Sequence, residues 1–305
     1  MDRVRKRIHL EEIRERRWSK FPLTIAVLDS GICHHPDLEG KCMIFKDFLH
    51  DKRNPYDDNG HGTHVCGILC GSGEASKGRY RGIIPASRLV VGKVLDEHGE
   101  GRAEVMLQGL EWVWANRKRY DIRLLNISVG IGSLRDKKKN AKLKAMLEQI
   151  WDAGIVVVCA AGNKGPAEGS ISDIGGSNKV ITVGCYDDLP GGEAGENCAL
   201  YSGRGRLSNA LRKPDVVAPG TGIVSCCHDF LWKEHNYQKL YIPMSGTSMA
   251  TPIVTGCIAL MLQGEPYLTN EQVRERLHYS AEDLKMPWNL QGWGMIHAKS
   301  LLENT

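Results

Sequence analysis

The sequence predicts an α/β protein of three layers, αβα, around a mostly parallel sheet. Short apolar runs rich in Val, Ile and Leu alternate with stretches of helical periodicity, as in parallel strands covered by helices on both faces. The 305 residues, 42% hydrophobic and 25% charged, suffice for one large domain with its own core. The same composition excludes wholesale disorder, collagen and coiled coil. No internal repeat, Pro-rich linker or low-complexity block divides the body, so residues 21–305 read as one domain preceded by a charged extension, residues 1–20.

Strands are expected at residues 24–29, 89–95, 124–129, 155–160 and 180–185. Between them Met106, Leu110, Val113 and Trp114 repeat at helical spacing, as do Leu143, Met146, Leu147, Ile150 and Trp151, so each helix buries one face on the sheet. Thr269 with Gln272 forms a capping box that opens a helix running to residue 279. The apolar runs near Val156 and Ile258 stop short of the roughly 18 residues that a membrane span requires. No membrane association is expected.

The net charge of +4 resides in the first 20 residues. There Arg3, Arg5, Lys6, Arg7, Arg14, Arg16, Arg17 and Lys20 outnumber Asp2, Glu11, Glu12 and Glu15. The body is neutral as a whole, which argues against nucleic-acid binding. The extension is expected to be a solvated helix, since Val4, Ile8 and Ile13 make only a weak apolar stripe. Charges interrupt every stretch before Phe21, so no export signal is legible. A cytoplasmic location is expected, a mature secreted form being the alternative. Ten cysteines in no regular framework, with Cys226 and Cys227 adjacent, suit free thiols in a reducing compartment better than five disulfides.

Open parallel sheets bind ligands beyond the carboxyl ends of their strands, so polar residues just past strand ends are the candidates. Asp29 ends the run Thr24-Ile25-Ala26-Val27-Leu28 and precedes Ser30-Gly31. A carboxylate there loses solvent and needs a partner, though Asp before Gly also suits a plain turn. A second place is Tyr56-Asp57-Asp58-Asn59-Gly60-His61-Gly62-Thr63-His64, a polar turn running into a helix. Its two histidines lie three apart on one helical face, but the His-Glu-x-x-His pattern of a zinc site is absent, and no metal is assigned. One histidine as proton carrier and the other packed structurally is the better reading. The third is Met244-Ser245-Gly246-Thr247-Ser248-Met249-Ala250-Thr251-Pro252, before the apolar helix 253–262. A serine at a helix start can serve as an N-cap; here a Gly-bearing turn precedes it and the positive helix end favours developing negative charge. Pro252 is expected to fall in the first turn.

The chain order is therefore Asp, His, Ser. An α/β-hydrolase places Ser first and His last, and only His278 and His297 follow Ser248, neither in a motif.

These segments, with Ala160-Ala161-Gly162-Asn163, resemble the subtilisin-like serine proteases from about residue 23 to residue 301. Within that superfamily, Tyr56-Asp57-Asp58-Asn59-Gly60-His61 and Lys213-Pro214-Asp215-Val216-Val217-Ala218-Pro219-Gly220 are most similar to the intracellular AprX-like enzymes of bacteria. The resemblance implies a subtilisin-like sheet and cytoplasmic peptide-bond hydrolysis. Ser248 would be the nucleophile, His61 the base and Asp29 its orienter, with Asn163 and the Ser248 backbone N–H as the oxyanion hole.

By the same resemblance, polypeptide substrates would bind as an extended strand between Gly99-Glu100-Gly101 and Ser128-Val129-Gly130. Ala160, Ala161 and Gly162 would line the primary pocket, and Ala103, Met106 and Val129 would border the fourth subsite. Lys164, at the pocket rim, would favour a neutral or acidic residue before the cut. Subtilisins often use calcium, and Asp37 matches a carboxylate that serves it in some relatives. Residues 72–78 lack the run of oxygen ligands of a tight site, so no required cofactor is expected, and calcium, though compatible with the family, is not expected to be essential. Cys66, roughly 140° around the helix from His61, is expected to pack in the core. A catalytically silent subtilase fold that binds peptides or signals is the rival class. An active cytosolic protease also needs restraint, and residues 1–20 are a candidate for controlling access to the cleft.

Overall fold

The computed structural model describes residues 1–13, 22–129, 137–187, 198–208, 211–229 and 240–303. After a short helix α1 (Asp2–Arg7), β1 (Thr24–Asp29) runs through the centre of the molecule, all six residues buried. The next elements are β2 (Cys42–Asp47), α2 (His61–Cys70), β3 (Arg88–Lys93), α3 (Ala103–Asn116), β4 (Ile122–Ile127), α4 (Lys137–Asp152), β5 (Val156–Ala160) and β6 (Ile181–Tyr186). The chain continues through α5 (Cys198–Tyr201), β7 (Val216–Pro219), β8 (Ile223–Cys226), β9 (Tyr241–Met244), α6 (Thr247–Gly264), α7 (Asn270–Ser280), α8 (Trp288–Gln291) and α9 (Ala298–Glu303).

Seven parallel strands lie in the order β2-β3-β1-β4-β5-β6-β7, and β8 pairs with β9 as a separate antiparallel ribbon. Helices α2 and α6 pack together over one face, and α3 and α4 pair over the other. That double cover explains why β1, β5 and β6 read as nearly unbroken apolar runs. Consecutive strands leave β1 in opposite directions, so the carboxyl end of β1 sits where the strand order reverses, the place such sheets keep for ligands.

All five expected strands form, β1 with its expected bounds and the others with ends displaced by at most two residues. β3 stops early because the Val94 and Leu95 N–H groups both turn back to the Asp29 carbonyl, at 2.8 and 3.3 Å. Sequence reading missed β2, a half-buried edge strand without clean alternation, and β7, four residues long beside prolines. The capping box is realised: Gln272 N donates to Thr269 Oγ1 at 3.2 Å and Thr269 N to Gln272 Oε1 at 2.8 Å, opening α7.

Three expectations need correction. The extension is not solvated over its described part: Met1, Val4 and Ile8 share one face of α1 and are buried in the main core. Arg7 pairs with Glu282 at 2.8 Å, the Ala298 N–H donates to the Ile8 carbonyl at 2.8 Å, and the His9 and His297 rings stack 4.2 Å apart. Met1 adds the member that strengthens the stripe, and Ile13 also packs against the core. Second, Cys185 and Cys198, 13 residues apart in sequence, form a disulfide, leaving eight free thiols. No spacing rule announces that pair; β6 and α5 bring it together. Cys66 is buried in the core, as expected. Third, Pro252 lies inside α6 rather than in its first turn. Its ring nitrogen lacks the N–H that would bond the Ser248 carbonyl. By length and composition α6 is also the one described helix fit to cross a bilayer, yet 89% of its span is buried inside the protein.

The motif from Lys213 to Gly220 is structural at its start. Buried Lys213 donates to Asp215 Oδ2 at 2.6 Å and to the Val180 carbonyl at 2.9 Å, and Asp215 also takes Arg274 and the Thr182 N–H. Charges removed from water survive only when paired and hydrogen-bonded in this way. The cluster locks β6 to β7.

Candidate active site

Asp29 is fully buried at the carboxyl end of β1. Its Oδ1 takes two hydrogen bonds, from the Ser30 N–H at 2.7 Å and from His61 Nδ1 at 2.6 Å. A donor on Nδ1 fixes the tautomer and leaves Nε2 free to accept a proton. Burial opposes the imidazolium, but the charge and hydrogen bond of Asp29, aided by the charge of Asp57, overcome it and hold His61 above its usual value.

His61 is the first residue of α2, which follows a left-handed Gly60 (φ 96°). A side chain at Gly60 would strike the His228 ring, so glycine is needed on both counts. Asp57, which sequence reading left without a role, organises this turn. Its carboxylate accepts from Ser30 Oγ at 2.9 Å, Gly60 N at 2.8 Å, Thr63 N at 2.8 Å and Thr63 Oγ1 at 2.6 Å. Ser30 Oγ in turn accepts the Gly62 N–H at 2.8 Å. The strand that carries Asp29 and the helix that carries His61 are thereby tied through one buried carboxylate. Fully buried Lys93 completes the frame, its ammonium bonding the Ser30 and Leu95 carbonyls and Asp58 at 2.6–2.8 Å. His64 is the structural histidine: its Nε2 reaches the Ile223 and Ile242 carbonyls at 2.9 and 3.0 Å, and burial pushes its pKa down to about 3.

On the other side, Gly246 rather than Ser248 is the N-cap of α6, so the Ser248 hydroxyl is not consumed as a cap. Ser248 is half-buried at the second helical position, with the helix's positive end beneath it. Among the described residues its Oγ bonds no side chain; contacts between a nucleophile and its base often tighten only when substrate is bound. Helices α2 and α6, whose first turns hold His61 and Ser248, pack directly on one another.

Asn163 follows Ala161 and Gly162 past the end of β5. Its Oδ1 accepts from Thr247 N at 3.1 Å and Thr247 Oγ1 at 3.0 Å, which fixes the amide orientation and directs Nδ2 to the opposite side. A Cβ on Gly246 (φ 152°) would sit 3.2 Å from that Nδ2 and 3.7 Å from the Ser248 nitrogen. The two donors assigned to the oxyanion therefore flank one small space. Thr247, quoted in the motif without a task, is what aims Asn163.

Of the other predicted residues, Gly99 has φ 75° and Gly101 bridges Leu95 in antiparallel fashion, in the segment expected to flank the peptide. Ser128 and Val129 continue β4 past its carboxyl end, both buried, and Gly130 lies outside the described residues. Ala160, Ala161 and Gly162 lead to exposed Asn163 and Lys164. Ser172, which sequence reading missed, faces Gly162, and its hydroxyl donates to the Ala160 carbonyl at 2.8 Å. Ala103, Met106 and Val129 are buried members of the core.

A family model with the description Subtilase family, Peptidase_S8, matches residues 22–294. This chain belongs to the subtilase family. It is 41% identical over 289 residues to Serine protease AprX of Bacillus subtilis (strain 168), covering 91% of this chain and 65% of that protein. It is 33% identical over 281 residues to Subtilisin of Bacillus pumilus, covering 90% and 89%. The solved structure of Sphericase superposes with TM-score 0.79 at 26% identity, covering 96% of both chains. The parallel sheet with helices on both faces is thus a subtilisin-like fold.

A subtilase's calcium raises the question of Asp37, which lies with His35 and Cys226 in a buried cluster whose ligand atoms fall within 4.8 Å of one another. These groups do not fit a cation. Asp37 Oδ2 takes the Tyr241 hydroxyl at 2.6 Å and Oδ1 takes Ser72 Oγ and the Ala75 N–H, both at 3.1 Å. His35 Nδ1 accepts the Asp37 N–H at 3.1 Å, Nε2 meets the Leu240 carbonyl at 2.9 Å, and burial with the Asp37 charge pushes the Cys226 thiol up. A hard cation needs several free oxygens, and none of these is free.

Because Asp29 is the main cause that raises His61, proton binding there stabilises the fold below pH 6.5, and the increment is lost as pH rises through the raised value. NMR titration of the His61 ring is expected to give a pKa above 6.5 in the wild type and below 6.5 in Asp29→Asn, where burial is opposed by Asp57 alone.

Proposed function

We propose that this chain is a serine endopeptidase acting through Asp29, His61 and Ser248. The observation that carries the reading is the 2.6 Å Asp29–His61 bond at the start of α2, a helix packed on α6, in whose first turn the Ser248 N–H and Asn163 Nδ2 border one space. Family membership supports it, as does the similarity to proteins named Serine protease AprX and Subtilisin. Ser248 Oγ attacks the scissile carbonyl while His61 Nε2 takes its proton, and Asp29 orients and stabilises the imidazolium. The tetrahedral oxyanion is received by Asn163 Nδ2 and the Ser248 N–H at the positive end of α6. His61 then protonates the leaving amine, and water repeats the sequence on the acyl-enzyme.

The substrate is an extended polypeptide paired with the 99–101 edge and the 128–130 segment. Its side chain before the cut enters the pocket of Ala160, Ala161, Gly162 and Ser172, with Lys164 at the rim. No cation is required at Asp37, where Tyr241, Ser72 and Ala75 already supply the donors.

Labelling of Ser248 by a fluorophosphonate, lost in Ser248→Ala, is expected; a wild type that neither labels nor cleaves peptides is the silent fold instead. Asn163→Ala is expected to lower kcat by about 2.7–4 kcal/mol of transition-state stabilisation, the cost known for the oxyanion-hole asparagine of subtilisin. A diverse peptide library should show Glu or Phe before the cut preferred over Lys or Arg, and equal cleavage of all would remove the role given to Lys164. The melting temperature is expected to be unchanged by chelator, whereas Tyr241→Phe lowers stability by about 1–3 kcal/mol by withdrawing a donor from buried Asp37. A large drop with chelator alone would overturn the calcium-independent reading.

A further inference from the structure

The N-terminal arm reaches the loop that presents the nucleophile. Arg3, on α1, donates from Nη2 to the Thr221 carbonyl at 2.6 Å. The same peptide unit gives its other end, the Gly222 N–H, to Ser245 Oγ at 2.9 Å. One residue earlier, the Gly220 carbonyl accepts the Gly246 N–H at 2.9 Å. Residues 220–222 therefore grip Ser245 and Gly246, the turn that leads into Thr247 and Ser248. Gly246 is also the residue beside Asn163 Nδ2 and the Ser248 nitrogen.

Gly220, Thr221 and Arg3 are each tightly placed. Gly220 has no room for a side chain, since a Cβ would lie 2.5 Å from Cys185 Cβ and 2.9 Å from the Gly246 carbonyl. The Thr221 hydroxyl donates to Asp187, whose Oδ1 also takes the Cys198 N–H at 2.8 Å. Arg3 itself is not a loose surface cation: its helix is pinned by buried Val4 and Ile8, by the Arg7–Glu282 pair and by the Ala298–Ile8 hydrogen bond. A guanidinium on a carbonyl makes a charge-assisted bond, and bonds at the two ends of one peptide polarise each other. The contact thus strengthens the hold of Gly222 on Ser245 as well as fixing Thr221.

We propose that Arg3 is a positioning residue for the catalytic loop, acting through the Thr221–Gly222 peptide on Ser245 and Gly246 and so on the oxyanion space and Ser248. The inference rests on the endopeptidase reading. It places the action of the extension behind the nucleophile rather than across the cleft. Because the loop sets the geometry of reacting groups and not the peptide-binding edges, Arg3 affects kcat and leaves KM nearly unchanged.

The test compares full-length wild type, Arg3→Ala, Arg3→Lys and Arg7→Ala on one peptide substrate, with Ser248→Ala as blank. Fluorophosphonate labelling rates and melting temperatures are measured on the same samples. Arg3→Ala is expected to lose roughly tenfold in kcat with KM within about twofold, and to label more slowly by a similar factor. Arg3→Lys recovers part of the loss, because a point charge restores the bond without its fork. Arg7→Ala, which breaks the other anchor of the arm, lowers the melting temperature and keeps kcat. Wild-type kcat in Arg3→Ala overturns the proposal, as does an equal kcat loss in Arg7→Ala, which would make general docking of the arm the cause. If Arg3→Ala does not accumulate folded, Arg3→Gln, which keeps most of the aliphatic stem, carries the same comparison. A wild type that does not cleave defeats the endopeptidase reading itself, whereas cleavage indifferent to Arg3 defeats only this inference.

Discussion

The buried carboxylate of Asp29 is the constraint from which the rest of the site follows. It ends a strand covered on both faces, so solvent cannot satisfy it, and an unpaired buried charge is among the costliest features a fold can carry. Its two donors, Ser30 N–H and His61 Nδ1, come from opposite sides of the strand–helix connection. Holding the histidine there requires the 57–63 turn to close on itself, which Asp57 accomplishes with four main contacts from Ser30, Gly60 and Thr63. Lys93 answers the negative charge gathered in this region and caps carbonyls that no strand neighbour reaches.

The start of α6, which holds Ser248, is organised by a second, largely uncharged network. Thr247 Oγ1 donates to Asn163 and accepts the Gly162 N–H at 3.2 Å. One turn on, Thr251 donates to the Thr247 carbonyl, and Thr255 reaches both the Thr251 carbonyl and Asn126 Oδ1. Asn126 Nδ2 then meets Ser128 Oγ at 2.8 Å. Threonines at every fourth position of α6 thus form a buried polar seam from Asn163 to Ser128, the two residues that the proposed reading puts on opposite sides of the substrate. Such a seam is favourable only when its groups are satisfied together, which makes the two walls of the site a single cooperative unit.

The central strands were legible because a parallel sheet buried on both faces demands continuous apolar runs, and the site was legible because Asp29, His61, Asn163 and Ser248 each stand just past a strand or at a helix start. Edge elements were not. β2 is half-exposed and β7 is very short, so neither leaves a periodic signal. The docked extension was misread for a related reason: Val4 and Ile8 look sparse until Met1 and a receiving surface made by residues near Glu282 and Ala298 are added. Asp57 and Thr247 stood inside quoted motifs, but their residue types suit turns and helix starts equally well, and only their partners reveal the task.

By itself the sequence determined the layer architecture, the order of the catalytic candidates and the glycines that permit close approach. These depend on local periodicity and local backbone conformation, which neighbouring residues set. The tertiary structure alone decided which distant groups meet: Tyr241 on Asp37 across 204 residues, Arg3 on Thr221 across 218, and Cys185 with Cys198. A hydrogen-bond partner for a buried group is whatever the completed fold brings within about 3 Å, and that distance is a property of the whole packing rather than of any segment.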